Sequence, residues 1–426
     1  MSKEKRRVPK LRFPGFTEDW EQRKLSDIST KVTTKNVDVH YMETLTNSAE
    51  QGIISQVDFF DKEISNKDNI NGYYIVENND FIYNPRISTL APVGPINRNK
   101  LNRTGIMSPL YTVFRASNVD LGFLEWYFQS SYWHRYMKLN GDSGARADRI
   151  AIKDSTFFDM PIKTPVNIKE QVLIGEILEK FNQYITLHQR KLNNLKLKKK
   201  ALLQKLFPKN GERYPELRFP GFTDAWEQRK LGEIFEYLQN NTLSRDSLNY
   251  KIPNIKNIHY GDILVKFNEI LDGSNKDIPY INPDLDLSKF SKSLLRDGDV
   301  IFSDTAEDDT VGKAIELQNV NAPFILSGLH TIPCRPLIPF GKGYLGNFFN
   351  SNSYRLQIRP LVQGIKVSSI SKSALKDTMI KYPKNLDEQE KIGSLFQSIT
   401  KMITLHQRKL DHLQLQKKAL LQQMFV

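Results

Sequence analysis

Ile185-Thr186-Leu187-His188-Gln189-Arg190-Lys191-Leu192 returns letter for letter 218 positions later, from Ile403 to Leu410. Lys199-Lys200-Ala201-Leu202-Leu203-Gln204 returns in the same way at Lys417 to Gln422. A second block repeats at a shorter offset: Leu11-Arg12-Phe13-Pro14-Gly15-Phe16-Thr17 recurs at Leu217 to Thr223. Trp20 and Glu21 to Leu25 recur with it as Trp226 and Glu227 to Leu231. Identity over such spans is not noise of composition, so the chain is an internal duplication, and the repeat must be read before anything else. Between the repeated blocks the halves match only weakly. Asn79-Asp80-Phe81-Ile82-Tyr83 resembles Gly298-Asp299-Val300-Ile301-Phe302, and Gly105 to Thr112 resembles Phe324 to Thr331. Two domains sharing a fold but differing in surface are expected. The boundaries read 1–24 for a lead-in, 25–165 for the first domain, 166–207 for a helix and 208–230 for a connector carrying the second lead-in. The second domain then takes 231–384 and the second helix 385–426.

Between Asn167 and Phe207 the apolar spacing is helical, with no Gly or Pro after Gly175. One seam runs Leu178, Phe181, Ile185, His188, Leu192, Leu195, Lys199, Leu202, Leu206. The second copy places Phe396, Ile399, Ile403, His406, Leu410, Leu413, Lys417, Leu420 and Met424 in the same slots. Steps alternating three and four are the heptad pattern of helices packing on each other. A helix of about 38 residues is on the order of 57 Å long. The two are expected to pair antiparallel, because a tandem duplication then closes into pseudo-twofold symmetry. His188 and His406 read better as polar register markers than as a metal-binding or pH-sensitive pair. Lys196, Lys198, Lys199 and Lys200 read as a solvated face rather than a DNA contact.

The 426 residues suffice for two to four folding units, and 39% hydrophobic with 26% charged residues excludes a disordered or collagen-like chain. The net charge of +13 and a pI near 9.4 favour a polyanionic partner, nucleic acid first. One cysteine, Cys334, excludes an internal disulfide and a cysteine zinc cluster. The charged start lacks the apolar core of a signal peptide, and no apolar run is long enough to span a membrane, so a soluble cytoplasmic protein without membrane association is expected.

Catalytic signatures are missing. No Asn/Asp-Pro-Pro-aromatic box of an amino-methyltransferase occurs; Asn84-Pro85-Arg86 and Asn282-Pro283-Asp284 fail at the third position. Gly312-Lys313 lacks the remainder of a phosphate loop, and the seven histidines show no zinc-ligand spacing. Gly341-Lys342-Gly343-Tyr344-Leu345-Gly346 matches a dinucleotide-binding string, but Pro333, Pro336 and Pro339 before it argue against the regular central strand that motif requires, and position 366 is Lys rather than acidic. It reads as the opening of a short helix, as does Gly122 to Phe128 in the first half. No metal and no cofactor is expected on this chain.

With these residues in view, the chain resembles the specificity subunit of type I restriction–modification enzymes. The resemblance rests on the tandem of divergent domains, each followed by a near-identical helix ending in Lys-Lys-Ala-Leu-Leu-Gln. It also rests on the lead-ins Pro14-Gly15-Phe16…Trp20 and Pro220-Gly221-Phe222…Trp226, on Gly298-Asp299-Val300-Ile301-Phe302, and on Glu170-Gln171 and Glu388-Gln389 at the helix starts. It covers essentially the whole chain. It implies an α/β (α+β) fold with two mixed target-recognition domains in pseudo-twofold tandem, joined by two long antiparallel coiled-coil helices. It implies that each domain reads half of a bipartite site in double-stranded DNA, and that the helices set the spacer and dock two modification subunits. Restriction and translocase subunits would complete the complex. S-adenosylmethionine, ATP and Mg would then belong to those partners, leaving this chain non-catalytic.

Physically, two readers on a rigid strut can engage half-sites about one helical turn apart, with phosphate contacts giving affinity and a few polar side chains reading base edges. The candidate contacts in the first domain are Thr46, Asn47 and Ser48, read as a loop, and Arg86, Arg98 and Arg103 among turn residues. Arg146 and Arg149 in a Gly-rich stretch complete that set. In the second domain they are Asn254, Lys256, Asn257 and His259, then Lys366, Ser368 and Ser369. Tyr132 and Trp133 read as core rather than as stacking platforms for a flipped base. Two other functions fit the sequence, an interaction scaffold whose basic charge is incidental and a DNA-acting enzyme with an unrecognised site.

Overall fold

The computed structural model describes residues 8–60, 67–142 and 148–426. The chain divides into two compact units, Met1–His188 with Lys409–Val426, and Gln189–Arg408. Each is a mixed α/β body, and the two repeat one plan.

In the first unit, strand Glu21–Lys24 pairs antiparallel with Pro161–Thr164, bringing the lead-in to the foot of the long helix. The central sheet runs Ser29–Lys31, Thr112–Ala116, Phe81–Tyr83, Ile96–Arg98, all antiparallel. Helices Leu121–Gln129, His134–Asn140 and Asp154–Phe158 cover one face. In the second unit Glu227–Lys230 pairs with Met379–Tyr382 in the same register, and the sheet keeps its order as Phe235–Tyr237, Thr331–Pro336, Val300–Ser303, Ala314–Gln318. A fifth strand, Ile270–Asp272, is added in parallel. Strand residues meet helix residues in an aromatic core: Phe81 and Phe114 with Phe128 of helix Leu121–Gln129 in one unit, and Phe302 with Phe349 and Tyr354 of helices Tyr344–Phe349 and Asn352–Ile358 in the other.

The long helices run Ile168–Lys205 and Leu386–Gln423. Every expected seam position, including His188 and His406, is buried or half-buried, while most positions between them are exposed. In the first unit the end of the second helix lies on the start of the first. Met424 and Phe425 share a core with Leu178, Trp20 and Phe123, and Lys417 Nζ donates to Asn182 Oδ1 at 2.9 Å while lying 4.5 Å from the Trp126 ring centroid. In the second unit Phe207, just past the first helix, stacks on Phe396 of the second, with ring centroids 6.0 Å apart. End meets start in each unit, so the pairing is antiparallel, as expected.

Each lead-in is pinned by a buried ion pair. Arg12 Nε and Nη2 donate to the two carboxylate oxygens of Glu170 at 2.7 and 2.9 Å; Arg218 does the same with Glu388 at 2.8 and 2.9 Å. These hydrogen bonds hold both guanidiniums above their usual pKa. Gln171 and Gln389 alongside satisfy loop backbone, accepting from Asp120 N and Gly341 N. The Glu-Gln repeat at the helix starts is thus a fastening, and the Pro-Gly-Phe lead-in carries its other half.

The Gly341–Gly346 string is a packing device. Gly343 has φ +78° and precedes the Tyr344–Phe349 helix, and a Cβ on Gly393 would sit 2.2 Å from Lys342 O. Gly175 and Gly122 make the equivalent close approach in the first unit. The prolines mislead on one count: Pro333 lies within the central Thr331–Pro336 strand, paired opposite Ile301. Its carbonyl accepts from Leu238 N, just past the end of the neighbouring Phe235–Tyr237 strand. N and O of one residue point to the same side of an antiparallel strand. The missing donor therefore falls where that neighbour has already ended. The turn before the Phe81 strand survives replacement of Gly by Asn79, which takes φ +73° where Gly298 takes +83°, because Asn tolerates the left-handed region.

Candidate nucleic-acid interface

Thr46, Asn47 and Ser48 are not in a loop. They form strand Leu45–Ser48, paired with Gly52–Ser55, and are buried. Polar residues can occupy such a strand because each finds a partner. Thr46 Oγ1 is 3.1 Å from the Tyr111 hydroxyl, Asn47 Nδ2 donates to Ile82 O at 2.7 Å, and Ser48 Oγ accepts from Glu50 N and Gln51 N. The strand forms one wall of a cleft of about 390 Å³. Arg86 and Arg149 also line it, joined by a backbone bridge and both exposed, with no ion-pair partner among the described residues. Asn84 and Tyr111 line the cleft, and Phe59, Phe60, Leu90 and Leu110 hold apolar side chains at its rim. The geometry thus gathers Thr46, Asn47, Ser48, Arg86 and Arg149 at one place.

Arg98 and Arg103 are elsewhere and are not free. Arg98 Nη2 meets Glu125 at 2.6 Å beside Lys100 and Glu179, against the long helix. Arg103 is held bidentate by Glu43, both contacts at 2.7 Å. Arg146 lies outside the described residues. Trp133 is core, donating to Phe128 O, and the Tyr132 hydroxyl donates to Gln422 O.

In the second unit Lys256, Asn257 and Ile258 form the strand equivalent to Leu45–Ser48. Lys256 is buried and donates to Gly273 O and Asn275 O, and burial pushes its ammonium below the usual pKa. Asn257, fully buried, accepts from Asn241 Nδ2 at 2.7 Å, and Asn254 Nδ2 donates to Ile281 O at 3.2 Å. Lys256 and Asn257 offer no charged or free edge to solvent, which corrects their reading as groove-reaching contacts, while Asn254 is half-buried. His259 caps the Tyr260–Val265 helix, its Nδ1 accepting from Gly261 N, and burial lowers its pKa. Lys366 is exposed in the turn before strand Ser368–Ser369, which pairs with Thr305–Ala306 as Arg149 pairs with Arg86.

The second unit therefore repeats this backbone arrangement with other chemistry. Thr305 replaces Arg86 and Ser369 replaces Arg149, while His330, 219 positions after Tyr111, takes the place of the tyrosine. Tyr260 and Asp304 join this patch and were missed from sequence. The weak match of Leu110-Tyr111-Thr112 to Leu329-His330-Thr331 was the signal that could have found it. Farther along the same unit, a cleft of about 580 Å³ is lined by Lys196, Lys200, Lys313, Arg355 and Arg359, with Lys199 paired to Glu269 at 2.8 Å. Among the described residues no cluster could hold a metal ion, and no helix is long and apolar enough to cross a membrane.

Comparisons with known proteins bear on this arrangement. Residues 223–415, just under half of the chain, match the family model described as type I restriction modification DNA specificity domain. A curated relative from Methanocaldococcus jannaschii, described as a type I restriction enzyme MjaX specificity subunit, is 23% identical over 222 residues, 50% of this chain. The match spans about half the length of that relative, 48%. The crystal structure of a type I restriction–modification system S subunit from M. genitalium aligns over 98% of this chain and 99% of that one, with TM-score 0.56 at 12% identity. That last likeness is one of fold. The likeness to type I restriction–modification specificity subunits, first legible in the repeated motifs, is thus found again in a family model, a curated relative and a shared fold.

Proposed function

We propose that the chain is the DNA-specificity subunit of a type I restriction–modification complex. Its two units read the two halves of a bipartite, non-palindromic site in double-stranded DNA, and the antiparallel helices set the spacer. The observation that carries this reading is one backbone arrangement used twice with different side chains. Arg86, Arg149 and Tyr111 line a cleft in one unit, and Thr305, Ser369 and His330 take the equivalent positions in the other. Shared backbone with divergent surface is what two different half-sites require, since base edges are told apart by donor and acceptor pattern. The net charge of +13 supplies the phosphate attraction.

Two modification subunits dock on the helices, with restriction and translocase subunits completing the complex in the cytoplasm. In support, large apolar side chains stay exposed at matching positions of both helices: Tyr184, Leu187 and Leu197 in one, Met402, Leu405 and Leu415 in the other, each pair 218 apart. Two like faces suit two copies of one partner. Methyl transfer and cleavage, with S-adenosylmethionine, ATP and Mg, fall to those partners, and this chain is non-catalytic.

Fluorescence anisotropy of the assembled complex on cognate and scrambled duplexes tests the reading. Binding should prefer cognate duplex by at least roughly a thousandfold and weaken steeply with salt. Equal affinity for all duplexes would leave the scaffold reading in its place.

A further inference from the structure

We propose that His330 is a specificity-determining side chain of the second unit, hydrogen-bonding through Nε2 to a base that presents an exocyclic amine in the major groove. The inference rests on the DNA-specificity reading above and gives that reading an atom.

Three independent features converge on this residue. The first is backbone strain. His330 sits at φ +54°, in the left-handed region that non-glycine residues avoid, at the tip of the turn between strands Ile325–Ser327 and Thr331–Pro336. Gly or Asn would occupy that turn at lower cost. A histidine there is exposed, with 48% of its side chain accessible, and adds nothing to the core. The second is orientation. The two polar partners of the ring, Asp304 Oδ1 at 3.3 Å and Thr305 Oγ1 at 3.5 Å, both meet Nδ1. The Asp304 backbone is fixed in turn, donating to His330 O and accepting from Ile370 N. The Tyr260 ring closes the side at 5.3 Å, edge to face. The third is place. His330 takes the position that Tyr111, at the cleft of the first unit, holds 219 residues earlier, so one place in the repeated plan carries a different polar ring in each unit.

The chemistry follows from the partner. A carboxylate at Nδ1 keeps the proton there in the neutral ring, leaving Nε2 as an acceptor. In the major groove adenine offers N6–H and cytosine N4–H, whereas guanine offers only the acceptors N7 and O6. The preferred base at this position is therefore adenine or cytosine.

The test uses the full chain assembled with its modification subunits, selecting bound duplexes from a randomised pool. Wild type should specify an adenine or cytosine at one position of one half-site. His330→Ala should lower discrimination at that position about tenfold to a hundredfold, leaving the other half-site and the spacer as they were. Asp304→Asn should blur the same position. His330→Asn, which keeps the left-handed backbone, stands in if the alanine variant melts early. Unchanged preference in folded variants, a uniform loss of affinity for every duplex, or guanine at the affected position would overturn the assignment. A wild-type complex that selects no sequence would instead remove the function on which it rests.

Discussion

Replacing Glu388 by Gln tests how the repeated lead-ins are held. In the protein Arg218 Nε and Nη2 donate to the two oxygens of Glu388 at 2.8 and 2.9 Å, and the Glu388 side chain is 1% accessible. Glutamine keeps the shape but turns one acceptor into a donor facing another donor, and it removes the charge opposite a guanidinium. Breaking a buried pair from one side costs about 3–5 kcal/mol. Arg218 keeps 15% of its surface in water, which relieves part of that, so about 2–4 kcal/mol is expected. The loss should be local. Hydrogen exchange followed by mass spectrometry reads it directly: amides of 217–234 should exchange roughly 30- to 1,000-fold faster, since each 1.36 kcal/mol is tenfold. Peptides of 8–24, pinned separately by Arg12 and Glu170, should not change. An apolar pair, Arg218→Met with Glu388→Leu, should recover most of the loss. Exchange within about threefold of wild type would refute the clamp, as would equal acceleration in both lead-ins.

Phe425→Ala should destabilise the first unit by about 3–5 kcal/mol, because its ring is buried among Trp20, Phe123 and Tyr127, and urea unfolding would show it. Gly393→Ala should lower the melting temperature well beyond an ordinary helix substitution, because the new Cβ meets the Lys342 carbonyl at 2.2 Å. Burial lowers the pKa of His259, so the unfolded chain binds its proton first. The stability that His259 contributes is complete above about pH 6.5 and falls as pH drops through that unfolded value. His259→Asn keeps a cap for Gly261 N and should flatten the loss of urea midpoint between pH 7 and 5.5. Deleting one heptad from both helices removes about 10.5 Å of rise, close to three base pairs, and should shift or abolish the preferred spacer in binding selections.

How far the sequence could be read depended on the range of the interactions involved. The helices were legible because a heptad is a local pattern, and the duplication because letters repeat. The helix starts at Glu170 and Glu388 could be marked as motifs, but not as halves of a clamp whose arginines lie 158 and 170 residues away. The same blindness explains Arg98 and Arg103. Each reads as a free cation among turn residues, and each is claimed by a glutamate distant in sequence, Glu125 and Glu43. Thr46-Asn47-Ser48 looks like a loop because polar strands are rare. This strand is buried only because Tyr111 and the Ile82 carbonyl come to it from elsewhere. Pro333 argued against a strand by a rule that holds on average, and one neighbour's end made the exception. Arg86 was nominated for lying among turn residues and Arg149 for its Gly-rich stretch, and the backbone bridge that sets them side by side is a tertiary fact.

The central claim is that one chain carries two different readers, and mapping modified bases across DNA exposed to the assembled complex tests it most directly. The account predicts two short specified blocks of unlike sequence, separated by an unspecified gap of constant length. A single contiguous block, a palindrome, or modification without sequence preference would contradict it.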